Sequence, residues 1–386
     1  MRKICVVTGT RAEYGLLSRL IRMIYESDKT LLQLIATNMH LSQRYGETYK
    51  EIEADGFNID YKIPIIEEGR NDAIATLKAM AKAISGYADA FNELRPDIVV
   101  LLGDRYEILA AAEAALIEKI PIAHIHGGEV TEGAYDDAIR HSITKMSHLH
   151  FTSTEEYRRR VIQLGESPER VYNVGSLGVE NVKTLMLMTK EEVEQSICFR
   201  IDRNTILATY HPVTLGSESM KRYIDEFISA VENRHKLRVI FTLPNSDNGS
   251  EVITDAIYSF VKKNPERAVA YKSLGLKRYL SVMKYCGAVV GNSSSGLLET
   301  PSFGIPSLNI GERQKGRISA TSVVNCEADK ESILNGLDKV LSEEFQILCK
   351  TVENPYAKEN TAKEIFNVIA SRSLDNIIQK HFYDLQ

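Results

Sequence analysis

Two adjacent carboxylates, Asp136 and Asp137, follow the loop Gly127-Gly128-Glu129 and precede Ala138-Ile139-Arg140-His141. The pattern predicts a strand over 120–126, a glycine-rich loop, and a helix over 137–146. Ligands of open α/β sheets sit at this strand-to-helix edge. The positive end of a helix dipole favours ionised acids in the first turn. A carboxylate held ionised there is suited to act as a base. Taken alone, the pair reads as a helix cap; further motifs on the same kind of edge shift the reading towards chemistry.

Thr8-Gly9-Thr10-Arg11-Ala12-Glu13-Tyr14-Gly15 closes the first apolar run. Gly9 permits a tight turn, and the free amides of the helix start suit an anion, with Arg11 beside them. The loop matches neither Gly-x-Gly-x-x-Gly nor a P-loop. Gly103-Asp104-Arg105 ends another run, and Asp104 reads either as a cap or as a carboxylate at a polar reaction centre. His124 and His126 are two apart, so a strand places both imidazoles on one face. No third ligand is evident, and one strand makes a poor zinc site, so proton transfer or substrate contact is the preferred reading and no metal is expected. Gly291-Asn292-Ser293-Ser294-Ser295-Gly296 precedes Leu297-Leu298-Glu299. Hydroxyls and helix-start amides make a phosphate cradle. Glu299 lies one turn further on, where a carboxylate accepts both ribose hydroxyls. Arg313 adds positive charge from Gly311-Glu-Arg-Gln-Lys-Gly-Arg317.

These motifs need a frame. Apolar runs at 4–8, 31–36, 98–102, 120–126, to 151 and 170–174 alternate with helical patterns at about 14 onward, 44–55, 106–118 and 137–146. The run 98–102 is apolar on both faces, as a buried parallel strand requires. Such alternation implies a parallel sheet covered by helices. The pattern restarts after Gly175-Ser-Leu-Gly178: runs at 205–209, 237–242 and 288–290 lead to His211-Pro212, Pro244-Asn245 and the serine cluster. The expected fold is α/β, with two Rossmann-like doubly wound domains facing across a cleft and a hinge over 175–180. The expected boundaries are 1–176, 177–360 and a terminal helical segment, 361–386, able to pack back on the first domain.

Composition narrows the class. With 386 residues, two domains are expected. The net charge of −5, evenly mixed and without a basic tract, argues against a nucleic-acid or membrane-surface partner. No uncharged apolar segment approaches the roughly 20 residues that span a bilayer. The chain runs straight into a strand without a signal-peptide pattern. The five cysteines are scattered, without Cys-x-x-Cys, and fit neither a zinc ribbon nor a disulfide framework. A cytoplasmic protein is expected.

Together, Gly-Thr-Arg-Ala-Glu-Tyr-Gly, Leu-Gly-Asp104-Arg105, His-Ile-His-Gly-Gly-Glu129, Asp-Asp-Ala-Ile-Arg-His-Ser-Ile-Thr-Lys, Tyr-His211-Pro and Gly-Asn-Ser-Ser-Ser-Gly resemble the UDP-N-acetylglucosamine 2-epimerases of the hydrolysing type. The similarity runs from Met1 to about residue 360 and is strongest to enzymes that make N-acetylmannosamine for sialic acid. Non-hydrolysing members carry Gly-Thr-Arg-Pro-Glu in the first loop and Gly-Asp-Thr in place of Gly-Asp104-Arg105. The resemblance implies a glycosyltransferase-B-like architecture, a UDP-sugar substrate, no cofactor and a homo-oligomer, dimer or tetramer. It makes Asp104 and Asp136 catalytic carboxylates, with His126 and Glu129 beside them. It puts Arg11, Arg105, Asp137, His211, Asn245, Ser293, Ser294, Gly296, Glu299 and Arg313 around the substrate. One departure stands out: many relatives have His-Ile-Glu-Gly-Gly-Glu, where this chain has His126. Which group handles the second proton is thereby left open.

The implied reaction converts UDP-N-acetylglucosamine and water to N-acetylmannosamine and UDP. A relative acting on UDP-2,4-diacetamido-2,4,6-trideoxyglucose, or a GDP-linked analogue, would share every motif. Two rivals of other kinds are a retaining glycosyltransferase and a nucleotide-sugar-binding sensor in which the acidic pair is dispensable.

Overall fold

Runs of Val, Ile and Leu that are buried on both faces form the strands, and amphipathic segments between them form the covering helices. The computed structural model describes residues 1–67, 72–213, 219–245, 247 and 249–385. The chain divides into two compact units. Unit 1 comprises Met1–Glu129, Asp136–Glu180 and the chain from Lys358 onward; unit 2 comprises Val130–Tyr135 and Asn181–Ala357.

Unit 1 is built on strands β1 (Arg2–Thr8), β2 (Thr30–Thr37), β3 (Tyr61–Ile63), β4 (Ile98–Leu102), β5 (Ile122–Ile125), β6 (Leu149–Thr152) and β7 (Val171–Asn173). They pair in parallel in the order β3-β2-β1-β4-β5-β6-β7. The helices are α1 (Arg11–Glu26), α2 (Tyr49–Ala54), α3 (Ala73–Leu94), α4 (Tyr106–Ile117), α5 (Asp136–Met146) and α6 (Glu155–Gln163), and α7 (Leu177–Thr184) carries the chain out of unit 1 at Glu180. Alternate residues of β1 face opposite layers. Ile4 and Val6 pack with Leu17 and Leu20 of α1, while Cys5 and Val7 pack with Tyr87 of α3 and Ala111 of α4. The helix expected over 44–55 is shorter, because Gly46 turns left-handed (φ 92°) and separates a 3-10 turn, Gln43–Tyr45, from α2.

Unit 2 repeats the plan with β8 (Thr205–Thr209), β9 (Arg238–Thr242), β10 (Ala268–Tyr271), β11 (Ala288–Gly291), β12 (Ser307–Ile310) and β13 (Val323–Cys326). All pairs are parallel, in the order β10-β9-β8-β11-β12-β13. Its helices are α8 (Lys190–Ile197), α9 (Met220–Glu232), α10 (Ser250–Lys263), α11 (Gly275–Tyr285), α12 (Ser295–Leu298), α13 (Lys330–Leu341) and α14 (Glu343–Cys349). The last helix, α15 (Thr361–Ser371), returns to unit 1, where Ala362, Ile365 and Ile369 enter the layer formed by Ile4 and Leu17. Each fully buried isoleucine there contributes about 1.5–3 kcal/mol. Among the described residues, no helix is long and apolar enough to cross a membrane.

Strand order reverses between β1 and β4 in unit 1, and between β8 and β11 in unit 2. Such switch points open a crevice at the carboxyl ends of the strands. The motifs at Gly9–Arg11 and Gly103–Arg105 flank the first reversal. Those at Tyr210–His211 and Asn292–Ser295 flank the second.

Candidate active site

In unit 1, Asp104 leaves the end of β4, and its carboxylate pairs with the guanidinium of Arg140. Arg140 is buried on α5, one helical turn after Asp136. Asp136 and Asp137 both occupy the first turn of this helix, which starts one residue earlier than the pattern predicts. The Arg140 contact therefore brings the elements that carry Asp104 and Asp136 together. Asp137 lies 3.6 Å from His141 Nε2, an i,i+4 pair on the surface of the same helix.

The two histidines separate. β5 ends at Ile125, and His126 turns left-handed (φ 64°), so the expectation of two imidazoles on one strand face does not hold. The backbone N–H of His126 is held by Phe151 O at 2.8 Å. His124 is fully buried; its Nε2 donates to Gly103 O at 2.8 Å, and its Nδ1 faces the Thr144 hydroxyl at 3.2 Å. Burial pushes its pKa down to about 3, so it is a neutral brace beneath Asp104. His126 Nδ1 lies 3.5 Å from Glu129 Oε1, and the Ser153 hydroxyl donates to that same oxygen at 2.8 Å. Glu129 is itself buried.

Arg105, expected among the substrate-binding residues, is instead buried within unit 1. Its Nε donates to Glu107 Oε1 at 2.8 Å and lies 3.8 Å from Glu13 Oε1. Two buried carboxylates thus share one guanidinium. Burial, reinforced by the charge of Glu107, holds the Glu13 carboxyl far above the usual carboxylate range. The Gly9 N–H donates to Glu13 Oε2 at 2.7 Å, and Thr10 Oγ1 accepts from Glu13 N at 3.3 Å, which completes a reach-back cap at the start of α1. Arg11 is the first residue of that helix and is half-buried.

In unit 2, Asn292 ties the two sides of the switch point. Its side chain accepts from His211 N at 2.6 Å and donates to His211 O at 2.8 Å. Asn292 O accepts from Arg313 Nη1 at 3.1 Å and from Gln314 Nε2 at 2.8 Å. Ser293 and Ser294 are half-buried beside this knot, and Glu299 is buried behind them. The helix after the serine cluster is a single turn, α12, followed by a 3-10 turn, Thr300–Phe303. One turn carries little helix dipole, so individual N–H groups and hydroxyls must carry anion binding at this loop. Gly296 is explained by packing: a Cβ there would meet Ser307 Oγ at 2.5 Å. Asn245 follows β9 at the same sheet edge and is half-buried.

The model of the UDP-N-acetylglucosamine 2-epimerase family matches residues 22–370. The chain belongs to this family. It is 42% identical to a GDP/UDP-N,N'-diacetylbacillosamine 2-epimerase (hydrolyzing) of Campylobacter jejuni, covering all of this chain and 99% of the relative. It is equally similar, at 42%, to the polysialic acid biosynthesis protein P7 of Escherichia coli, covering all of this chain and 98% of that one. The crystal structure of UDP-GlcNAc 2-epimerase from Neisseria meningitidis bound to UDP-GlcNAc superposes with a TM-score of 0.78 at 19% identity, covering 95% of this chain and 99% of that one. That likeness bears on the fold: two Rossmann-like units with parallel sheets.

Arg140 and Asn292 stand inside the sequence motifs, but the motifs alone assign them no role. Arg140 was findable, because it stands four residues after Asp136 and so shares its helix face. Asn292 was not, because its partners are backbone atoms 81 residues away.

Proposed function

We propose that this chain is a hydrolysing 2-epimerase of UDP-linked 2-acetamido sugars. The observation that carries the reading is the Asp104–Arg140 pair one turn from Asp136, at the strand reversal where ligands of open sheets bind. In this reading unit 2 holds UDP through His211, Asn245, Ser293, Ser294, Glu299 and Arg313. Asp104 or Asp136 removes the proton from sugar C2 as the C1–O bond to UDP breaks. The product of elimination is a 2-acetamidoglucal. Water then supplies hydroxyl to C1 and a proton to the opposite face of C2, releasing the C2-inverted sugar and UDP. Cationic groups and loop amides offset the charge that develops on the leaving pyrophosphate.

The first substrate proposed is UDP-N-acetylglucosamine, giving N-acetylmannosamine for sialic acid synthesis. A second reading is UDP-2,4-diacetamido-2,4,6-trideoxyglucose, which the full-length similarity to the C. jejuni enzyme favours. Proton NMR of both substrates with the enzyme in heavy water tests the reading. Release of UDP and a free sugar with inverted C2 carrying deuterium supports it, and the faster substrate names the sugar. A product that retains UDP, or turnover without C2 exchange, would overturn it.

A further inference from the structure

The segment Val130–Tyr135 lies in sequence between two stretches of unit 1, yet it packs as part of unit 2. Its last residue precedes Asp136 by one peptide bond. Arg317 holds its beginning: Nε donates to Val130 O at 2.9 Å and Nη2 to Thr131 Oγ1 at 3.4 Å. Thr131 O in turn accepts from Ala134 N at 3.0 Å, which folds the segment into a turn, and Thr131 and Ala134 are both buried.

Gly133 lets the two backbones approach closely, and the Glu132 side chain lies against Gly316. A Cβ on Gly133 would meet Arg313 Cα at 2.9 Å and Glu312 O at 3.1 Å. One on Gly316 would meet Glu132 Oε1 at 2.7 Å. The turn that carries Arg317 is itself fixed from both sides. Arg313 and Gln314 hold Asn292 O, and the Tyr356 hydroxyl donates to Ile318 O at 2.7 Å. A chain of contacts therefore runs from the Asn292 knot, through the 313–317 turn, to the backbone that enters α5.

We infer that Arg317 is a positioning residue for Asp136, anchoring the segment that delivers this carboxylate to the turn that carries Arg313. The inference rests on the reading of Asp136 as catalytic. Arg317 acts on geometry and not on UDP, and misplacing a reacting group by about 1 Å costs on the order of 10²-fold in rate. Lysine at this position reaches only one of the two acceptors, because the guanidinium fork is lost.

The test measures kcat with UDP-N-acetylglucosamine and with UDP-2,4-diacetamido-2,4,6-trideoxyglucose, alongside UDP affinity by calorimetry. Arg317→Ala should lower kcat about 10- to 100-fold and leave UDP affinity within about twofold. Arg317→Lys should recover part of the rate. Gly133→Ala, which pushes the segment off the 312–313 backbone, should give the same split and serves if Arg317→Ala does not fold. In an Asp136→Asn background, Arg317→Ala should cost less than about threefold, because both act through one carboxylate. Equal losses in both backgrounds, an unchanged kcat, or a UDP Kd that rises in step with the loss of rate would overturn the inference. An Asp136→Asn enzyme with wild-type turnover would sink the reading of Asp136 and this inference with it. An inactive Asp136→Asn beside a fully active Arg317→Ala would sink the inference alone.

Discussion

Arg140 and Asp104 form an ion pair between α5 and the end of β4, with the guanidinium buried and the carboxylate one-fifth exposed. The pair does two jobs. It fixes the approach of α5, hence of Asp136, to the end of β4. It also gives a buried cation its counter-charge. Asp136 stands half-buried in the first turn of that helix.

The two carboxylates should therefore separate under mutation. Asp104→Asn and Asp136→Asn should each lose turnover by about 10²–10⁴-fold. Asp104→Asn should also destabilise unit 1, by about 1–3 kcal/mol, because Arg140 loses its anionic partner. Asp136→Asn should cost about 0.3–1 kcal/mol, the value of a first-turn charge. Calorimetric melting read beside activity checks this. Equal melting shifts for both variants would remove the structural half of the argument, and near-wild-type turnover in both would remove the chemical half.

Much of the frame was legible because apolar runs such as 98–102 and 205–209 have only one way to be buried on both faces, and both appear as strands over those residues. The ends of elements were less legible. His126 reads as strand by alternation, but its left-handed backbone is set by a long-range bond to Phe151. The resemblance puts Arg105 around the substrate, whereas the fold brings Glu13 and Glu107 against it, two residues that no local pattern links to it. The placement of Val130–Tyr135 in unit 2 has no local signal at all. Gly133 permits it, but the contacts that fix it come from residues 312–317.

The nucleotide site should respond to Asn292 as strongly as to the serines. Asn292→Ala removes both bonds to the His211 backbone and leaves those buried groups without that partner. Calorimetry with UDP should show weaker binding for Asn292→Ala, for Glu299→Ala, and for Ser293→Ala combined with Ser294→Ala. Unchanged UDP affinity in the serine and glutamate variants would reduce the loop to a helix cap.

Acid should destabilise the protein through its buried histidines. Burial pushes His40 and His148 down to about 4 and His124 down to about 3. His150 is also lowered by burial, despite its bond to Glu166. An unfolded histidine takes up its proton near pH 6.5. Below that pH the unfolded chain binds more protons than the folded one, so stability falls as pH drops from about 6.5 to about 4. Glu13 works the other way, since its raised pKa favours the fold in acid, but it is one group against four. Melting temperatures at pH 7 and pH 5 test the sign: a clear drop at pH 5 is expected, and equal values would contradict it.

His126 poses the sharpest chemical question, because many relatives carry a glutamate there. A neutral imidazole exchanges a proton near pH 6.5 without help, whereas a glutamate needs burial or a like-charged neighbour to do so. Here the imidazole is buried, its Nδ1 stands 3.5 Å from Glu129 Oε1, and Ser153 holds that carboxylate in place. We therefore expect His126 to supply the proton to C2 of the glycal in the hydration half of the reaction. His126→Ala should then slow hydration more than elimination, and 2-acetamidoglucal should accumulate and be visible by proton NMR. His126→Glu should keep more activity than His126→Ala, because a carboxyl beside Glu129 is a like-charged neighbour of the kind that raises a glutamate's pKa. Ser153→Ala, which removes the hydroxyl that donates to Glu129 Oε1, should share the phenotype in weaker form. A His126→Ala enzyme with normal rate and no trapped glycal would reduce His126 to a support for the Gly127-Gly128 loop.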